Sequence, residues 1–242
     1  MEAFPAIAGT RAAVPSVQTA VSFVVPAFNE QANVADTVRE VEIAARGLDD
    51  FEIILVNDGS SDNTAEIIDT LARSNGRVRA VHNKQNLGLG GAYKAGVAKA
   101  TMPYVIMVPG DNNHPADGIV PILDRIGQAD VVIPYVANPQ VRQWHRRLIS
   151  EAFRSLLNIL FGLKVPYYNG LVVHRLTLLK TITIETDGFA YQAEALVKLL
   201  RGGASSVAVP VQISHRGDRT TRAFRWKNVK TVLAAIWRLR KK

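Results

Sequence analysis

The stretch VPGDNNHPAD (108–117) places one carboxylate, two amides and an imidazole directly behind an apolar run. Asp111 follows the strand-ending Pro109-Gly110, and Asn112, Asn113 and His114 come next. Oxygen donors in a loop after a buried strand suit a hard divalent cation that bridges a diphosphate. The plainer reading is a carboxylate that caps a turn or helix, with cations alone neutralising the phosphates. Three more polar loops follow apolar runs. In VVPAFNE (24–30), Pro26 ends a strand, and Asn29 and Glu30 open a helix whose free N–H groups take an anion or a cap. In VNDGSSDNT (56–64), Asp58 stands just past a strand as an acceptor for a base or ribose, and Gly59-Ser60-Ser61 makes a tight turn. In NLGLGGAYKAG (86–96), the three glycines Gly88, Gly90 and Gly91 permit close backbone approach and Lys94 attracts phosphate. Tyr93 replaces the last Gly of a dinucleotide fingerprint, so this is neither that motif nor a Walker loop.

The elements that must hold these loops alternate in kind. The runs 21–28, 51–56, 77–82, 104–108 and 130–134 read as strands. Between them fall segments of helical spacing: Val34, Val38, Val41 and Ala45, then 62–73, 90–100 and a helix after Pro115. This order predicts an α/β fold with a mostly parallel central sheet and helices on both faces. Such sheets bind ligands at the C-terminal ends of their strands, where all four loops fall. Beyond Pro134 the pattern predicts a long helix over 141–162 and another over 189–202. Two short strands, 205–210 and 211–215, and a basic final helix complete the chain. Residues 1–19 read as a mobile tail, since no basic start leads into a continuous apolar run; residues 20–221 read as one domain, and 222–242 as an amphipathic helix.

The formal charge of +8 favours an anionic partner. Eight Lys and Arg and no acid lie between Arg222 and Lys242, and Arg142, His145, Arg146 and Arg147 surround Trp144. A basic nucleic-acid-binding domain would explain the charge. It would leave the four loops unexplained, and no nucleic-acid motif is present, so no nucleic-acid partner is expected. The absence of Cys removes disulfides and thiolate metal sites and suits a cytoplasmic chain.

The four loops together, with GFAYQAEALVKLLRGGASSVAVPV (188–211), resemble the family 2 inverting glycosyltransferases of GT-A, Rossmann-like fold, over about Val21 to Arg225. The dolichyl-phosphate mannose synthase, or polyprenyl-phosphate glycosyltransferase, branch is the most similar. The resemblance implies that Pro26, Ala27, Asn29, Glu30 and Asp58 hold the nucleotide of a nucleotide-sugar donor of GDP-mannose or UDP-glucose type. Gly91 and Lys94 would lie beside its base and phosphates. The family's metal loop is Asp-x-Asp-x-Gln; here its positions are Pro109, Asp111 and Asn113, so Asp111 and Asn113 would hold Mg²⁺ or Mn²⁺ with donor oxygens. Arg147 and Ser150 align with phosphate-contacting positions, and Arg216 and Arg219 with a basic loop near the donor.

Relatives that activate a sugar hydroxyl carry Asp where this chain has Gln192, and Glu194 is retained. A phosphate acceptor is already ionised and needs no base. The resemblance therefore implies transfer to a polyprenyl phosphate, with Asp111, Arg147, Glu194 and Arg219 as candidate catalytic residues and Glu194 as a base or an arginine-orienting group. Transfer to a saccharide or other hydroxyl acceptor is the competing enzyme reading. In the last segment Trp226, Val229, Leu233, Ile236 and Trp237 share a helical face among cations. That suits an interfacial helix on an anionic membrane surface, at its cytoplasmic side, and equally a stripe packed on the core.

Overall fold

A computed structural model describes residues 18–141, 143–212, 236, 238 and 239 of the chain. The expected strands form as β1 (Ala20–Ala27), β2 (Asp50–Asn57), β3 (Val78–His82), β4 (Tyr104–Met107) and β5 (Val131–Val136). Two more are β6 (Val173–Arg175) and β7 (Ser206–Val211). The helices are α1 (Val34–Ala44), α2 (Thr64–Ser74), α3 (Leu89–Val97), α4 (Ala116–Leu123), α5 (Trp144–Phe161), the single turn α6 (Leu176–Leu179) and α7 (Tyr191–Arg201).

All eight residues of β1 are buried, because helices cover both faces of the sheet, and this explains why its sequence runs apolar without alternation. One face carries Val34, Val38 and Val41 of α1, Ile68 of α2, and Ile119 and Ile122 of α4. The other carries Ala92 and Tyr93 of α3, Leu157 and Phe161 of α5, and Leu196 and Leu199 of α7.

The strand order is β3-β2-β1-β4-β6-β5-β7, and every pairing is parallel except the two made by β6. From β1 the chain builds β2 and β3 on one side, then crosses to lay β4 on the other. The strand order thus reverses at β1, and a crevice opens beyond Ala27 and Met107. Two features were not anticipated. β6 has only three residues, too few to show a period, and Gln212 lies outside any strand where a second short strand was expected. The 213–215 part of that expected strand lies outside the described residues.

At the C-terminal end, Ile236 packs against the second core and Leu239 is 6% exposed. Arg238 reaches Thr186 Oγ1 at 3.4 Å and Glu185 at 3.9 Å. These residues of the expected interfacial helix belong instead to the body of the domain. Its remainder, like the 1–17 part of the expected tail, lies outside the described residues.

Candidate active site

Each loop at the switch point is built against its neighbour. The β1 loop turns at Asn29, whose φ of 56° puts a non-glycine residue in the left-handed region. That turn lets Asn29 N–H donate to Ser60 Oγ at 3.0 Å while Asn29 Oδ1 accepts from Ser61 N–H at 2.9 Å. Glu30 N–H donates to Thr64 Oγ1 at 2.9 Å, and the Glu30 carboxylate accepts from Asn33 Nδ2 at 2.6 Å. Asn29 and Glu30 thus join the first loop to the second and start α1.

Pro26 and Ala27 form the floor of the crevice. Gly110 N–H donates to Pro26 O at 3.0 Å, and Asp58 N–H donates to Ala27 O at 2.9 Å. A Cβ on Gly110 would stand 3.0 Å from Pro26 O and 3.2 Å from Ala27 Cβ, so the absent side chain lets the β4 loop lie across the end of β1. This delivers Asp111 to the crevice. Asn113 Nδ2 donates to Asp111 Oδ2 at 2.6 Å, so the two expected metal-loop side chains meet. Asn112 between them has a φ of 53°; its N–H donates to Thr37 Oγ1 at 3.0 Å, and its buried Oδ1 has no partner. Among the described residues no group of three His, Cys, Asp or Glu side chains is arranged around a metal. One carboxylate, one amide oxygen and a nearby orphaned carbonyl are all hard oxygen donors. This set fits a Mg²⁺-like ion that takes its other ligands from phosphate and water.

Asp58 is 3% exposed. Its Oδ1 accepts from Asn83 Nδ2 at 2.8 Å and Leu87 N–H at 3.0 Å, and its Oδ2 accepts from Gly88 N–H at 3.0 Å. The carboxylate therefore shapes the glycine loop from within. Gly59, with φ 69°, seats the second loop so close to Gln85 and Asn86 that a Cβ would fall 2.6 Å from the Gln85 carbonyl carbon.

Gly91 and Lys94 were expected to face a ligand, and the structure places them differently. Asp187 O accepts from Gly90 N–H at 2.7 Å and Gly91 N–H at 3.2 Å, capping α3, and Lys94 Nζ bonds Asp187 Oδ1 at 2.6 Å. The glycines admit protein backbone here: a Cβ on Gly90 would stand 2.5 Å from Thr186 O.

Glu194 differs in the same way. Its oxygens accept from Glu185 N–H at 3.0 Å, Thr186 N–H at 2.9 Å and Lys198 Nζ at 2.6 Å. Burial pushes its pKa up, but these hydrogen bonds outweigh burial and hold it below the usual glutamate value. A carboxylate so engaged is a poor proton acceptor, and it orients a loop and a lysine rather than an arginine. Gln192 points into the core, where its Nε2 lies 3.0 Å from His174 Nε2. Complete burial lowers the His174 pKa to about 3, so this imidazole is neutral.

Arg147 and Ser150 sit one turn apart on α5, Arg147 exposed and Ser150 half-buried. Arg216 and Arg219 lie outside the described residues. The sequence reading missed Asp187 and His174, which act through contacts distant in sequence, and Lys198, which pairs with Glu194 one turn earlier on α7. The Thr186-Asp187-Gly188-Phe189 turn before α7 was the available signal.

Comparison with known proteins places the fold and the family. The chain is 27% identical over 206 residues to polyprenol monophosphomannose synthase of Mycolicibacterium smegmatis, covering 80% of this chain and 77% of that protein. It is 30% identical over 183 residues to undecaprenyl-phosphate 4-deoxy-4-formamido-L-arabinose transferase of Pseudomonas paraeruginosa, covering 70% of this chain. That match takes in 54% of the relative, so the chain spans about half the length of such transferases. Glucosyl-3-phosphoglycerate synthase of Mycobacterium tuberculosis, solved with Mg²⁺ and UDP, superposes with a TM-score of 0.69 at 16% identity, covering 92% of this chain and 79% of that one. The shared architecture is the GT-A fold. Residues 22–177 match the sequence profile of Glycosyl transferase family 2, and the chain belongs to that family.

Proposed function

We propose that the chain transfers a hexose, with inversion, from a nucleotide-sugar of GDP-mannose or UDP-glucose type to a polyprenyl phosphate at the cytoplasmic face of a membrane. The observation that carries the acceptor is the engagement of Gln192 and Glu194. One has no basic group and is turned onto His174; the other is tied to Glu185, Thr186 and Lys198. A hydroxyl acceptor needs a proton removed, whereas a phosphate monoester oxygen arrives ionised. In the proposed step a phosphate oxygen attacks the anomeric carbon, the bond to the diphosphate breaks, and the nucleoside diphosphate leaves with its electron pair. No proton moves.

Asp111 and Asn113 would hold a Mg²⁺ or Mn²⁺ ion, which neutralises charge on the leaving diphosphate when bound. Asn29, Glu30, Pro26 and Ala27 shape the floor beneath the nucleotide, and Asp58 fixes the glycine loop beside it. Arg147 and Ser150 present a cation and a hydroxyl to the acceptor phosphate. Arg216 and Arg219 are proposed at the diphosphate from the sequence alone. Family membership and the similarity to polyprenol monophosphomannose synthase support this reading.

The test is incubation of the chain with radiolabelled GDP-mannose or UDP-glucose, Mn²⁺ and a polyprenyl phosphate. Label is expected in the organic phase, in an acid-labile lipid product. Label passing only to a saccharide or other hydroxyl acceptor would overturn the proposal.

A further inference from the structure

Nine large apolar side chains are exposed among the described residues, and five of them lie on α5: Trp144, Leu148, Ile149, Leu156 and Ile159. Trp144 is 74% exposed, Leu148 63% and Ile159 81%. Their successive spacings of four, one, seven and three residues keep them within an arc of roughly 140° on one side of the helix. Leu157 and Phe161, on the other side, are buried in the second core. The anchoring is confined to the second half: from Trp144 to Ala152 no described side chain is buried. An 18-residue helix is roughly 27 Å long, so along about half of it no described side chain is buried and large apolar groups face water. Short helices without packing are marginal in water, and a contiguous apolar face this exposed marks a surface that something covers.

We propose that the outer face of α5 is a membrane-docking surface, lying in the headgroup layer of an anionic bilayer. Charge selects this occupant. Exposed His145 and Arg147 stand at the Trp144 end, and Arg142 and Arg146 adjoin them in sequence. The helix has one acid, Glu151, which is ion-paired with Arg154. A second copy of α5 would bring the same cations and the same engaged acid. The chain's own last segment, Arg222–Lys242, carries eight cations and no acid. Neither neutralises the basic end, whereas anionic headgroups do, with Trp144 at the boundary between headgroups and acyl chains. This deepens the proposed function and rests on it in one respect only: a polyprenyl phosphate is met at a bilayer, and Arg147 and Ser150 lie on this same helix. The docking itself requires no turnover.

The experiment is sedimentation of the full chain with vesicles of phosphatidylcholine, with and without phosphatidylglycerol. The parent chain is expected to bind the anionic vesicles and to be released by salt. Leu148→Glu together with Ile159→Glu should lower vesicle partitioning by about tenfold or more while leaving the melting temperature unchanged, since both side chains are already in water. Substituting the cations of Arg222–Lys242 instead should weaken binding without abolishing it. The proposal is overturned if the parent ignores anionic vesicles, or if the double variant binds them as the parent does. It is equally overturned if light scattering shows a dimer that the double variant dissolves. Failure of sugar transfer with vesicle binding intact would count against the proposed function alone.

Discussion

The loops at the ends of β1, β2 and β3 and the first half of α5 were both read from sequence as ligand-facing, and they are built in opposite ways. In the loops almost every polar group named has a protein partner. Asn29 holds Ser60 and Ser61, Asp58 holds Asn83, Leu87 and Gly88, and Asp187 closes the glycine helix. Among the described side chains of the first half of α5, none is held in the core. Motif residues in this fold therefore mainly make a rigid cradle from backbone. Under the proposed function, direct ligand contact falls to the few groups left over: Asp111, Asn113 and the exposed cations of α5. If so, substitutions in the cradle should cost stability in proportion to the donors they orphan, and substitutions at the leftover groups should cost function only.

The largest effect on stability is expected at Asp58. Asp58→Ala strands two donors, Asn83 Nδ2 and Leu87 N–H, while Gly88 N–H keeps Asn86 Oδ1 as an acceptor; at about 1–3 kcal/mol for each orphan, a loss of roughly 4 kcal/mol should appear in chemical denaturation. Donor affinity, read by calorimetry with a nucleotide-sugar, should fall with it. A fall in affinity with unchanged stability would mean that Asp58 contacts the nucleotide itself, and the contrast between cradle and leftover groups would be wrong at its centre.

Glu194→Gln comes next, at about 3 kcal/mol, because it leaves the Lys198 ammonium without its nearest buried carboxylate. The pH dependence has a definite sign. The folded-state pKa of Glu194 lies below the usual 4.5, so its contribution is fully present above pH 4.5 and is lost as pH falls through the folded value. Parent and Glu194→Gln denaturation curves should therefore converge as the solution is acidified below that point. Glu52, on β2, gives a control. Burial raises its pKa, but hydrogen bonds from Ser22 and Thr101 and the Arg79 charge lower it more, so it titrates with the same sign in both proteins.

Leu239→Ala should cost about 2–3 kcal/mol in the same denaturation measurement if that side chain belongs to the second core as its 6% exposure indicates. An unchanged midpoint would return the final segment to a purely interfacial role.

The fold was legible because its signals were long. β4 reads as an unbroken apolar run, and β1 and β2 as apolar runs each interrupted by one buried polar residue, Ser22 and Glu52, which bond each other; α1 shows its period in Val34, Val38 and Val41. β6 was invisible: three residues carry no period, and its His174 reads as polar although it is wholly buried. At the site, the positions were legible and the roles were not. Lys94 beside glycines looks like a phosphate ligand, and nothing local reveals that Asp187, ninety-three residues away, already holds it. The basic cluster around Trp144 was legible as charge. That the helix behind it would leave its apolar side in water depends on which side the core takes, and the sequence of α5 is apolar on both.

The smallest stability effect is expected at Asp111, and it is the sharpest test of the comparison. Among the described residues its carboxylate accepts only from Asn113, two positions on in the same loop, so nothing described elsewhere in the fold leans on it. Asp111→Ala should shift the denaturation midpoint by less than about 0.5 kcal/mol, the range of substitutions away from structural networks. Transfer activity should fall by about a hundredfold or more, as when a single group stabilising charge in a transition state is removed. Because Asp111 is the one carboxylate of the proposed metal set, the residual activity should also lose its response to Mn²⁺, and EDTA should bring the parent down to the same level. Asp111→Asn keeps one oxygen to accept from Asn113 and removes the charge, so it should behave like Ala in activity and close to the parent in stability. If Asp111→Ala instead unfolds the β4 loop, Asp111 belongs with Asp58 to the cradle. If activity survives both the substitution and EDTA, the diphosphate is neutralised by cations of the chain alone.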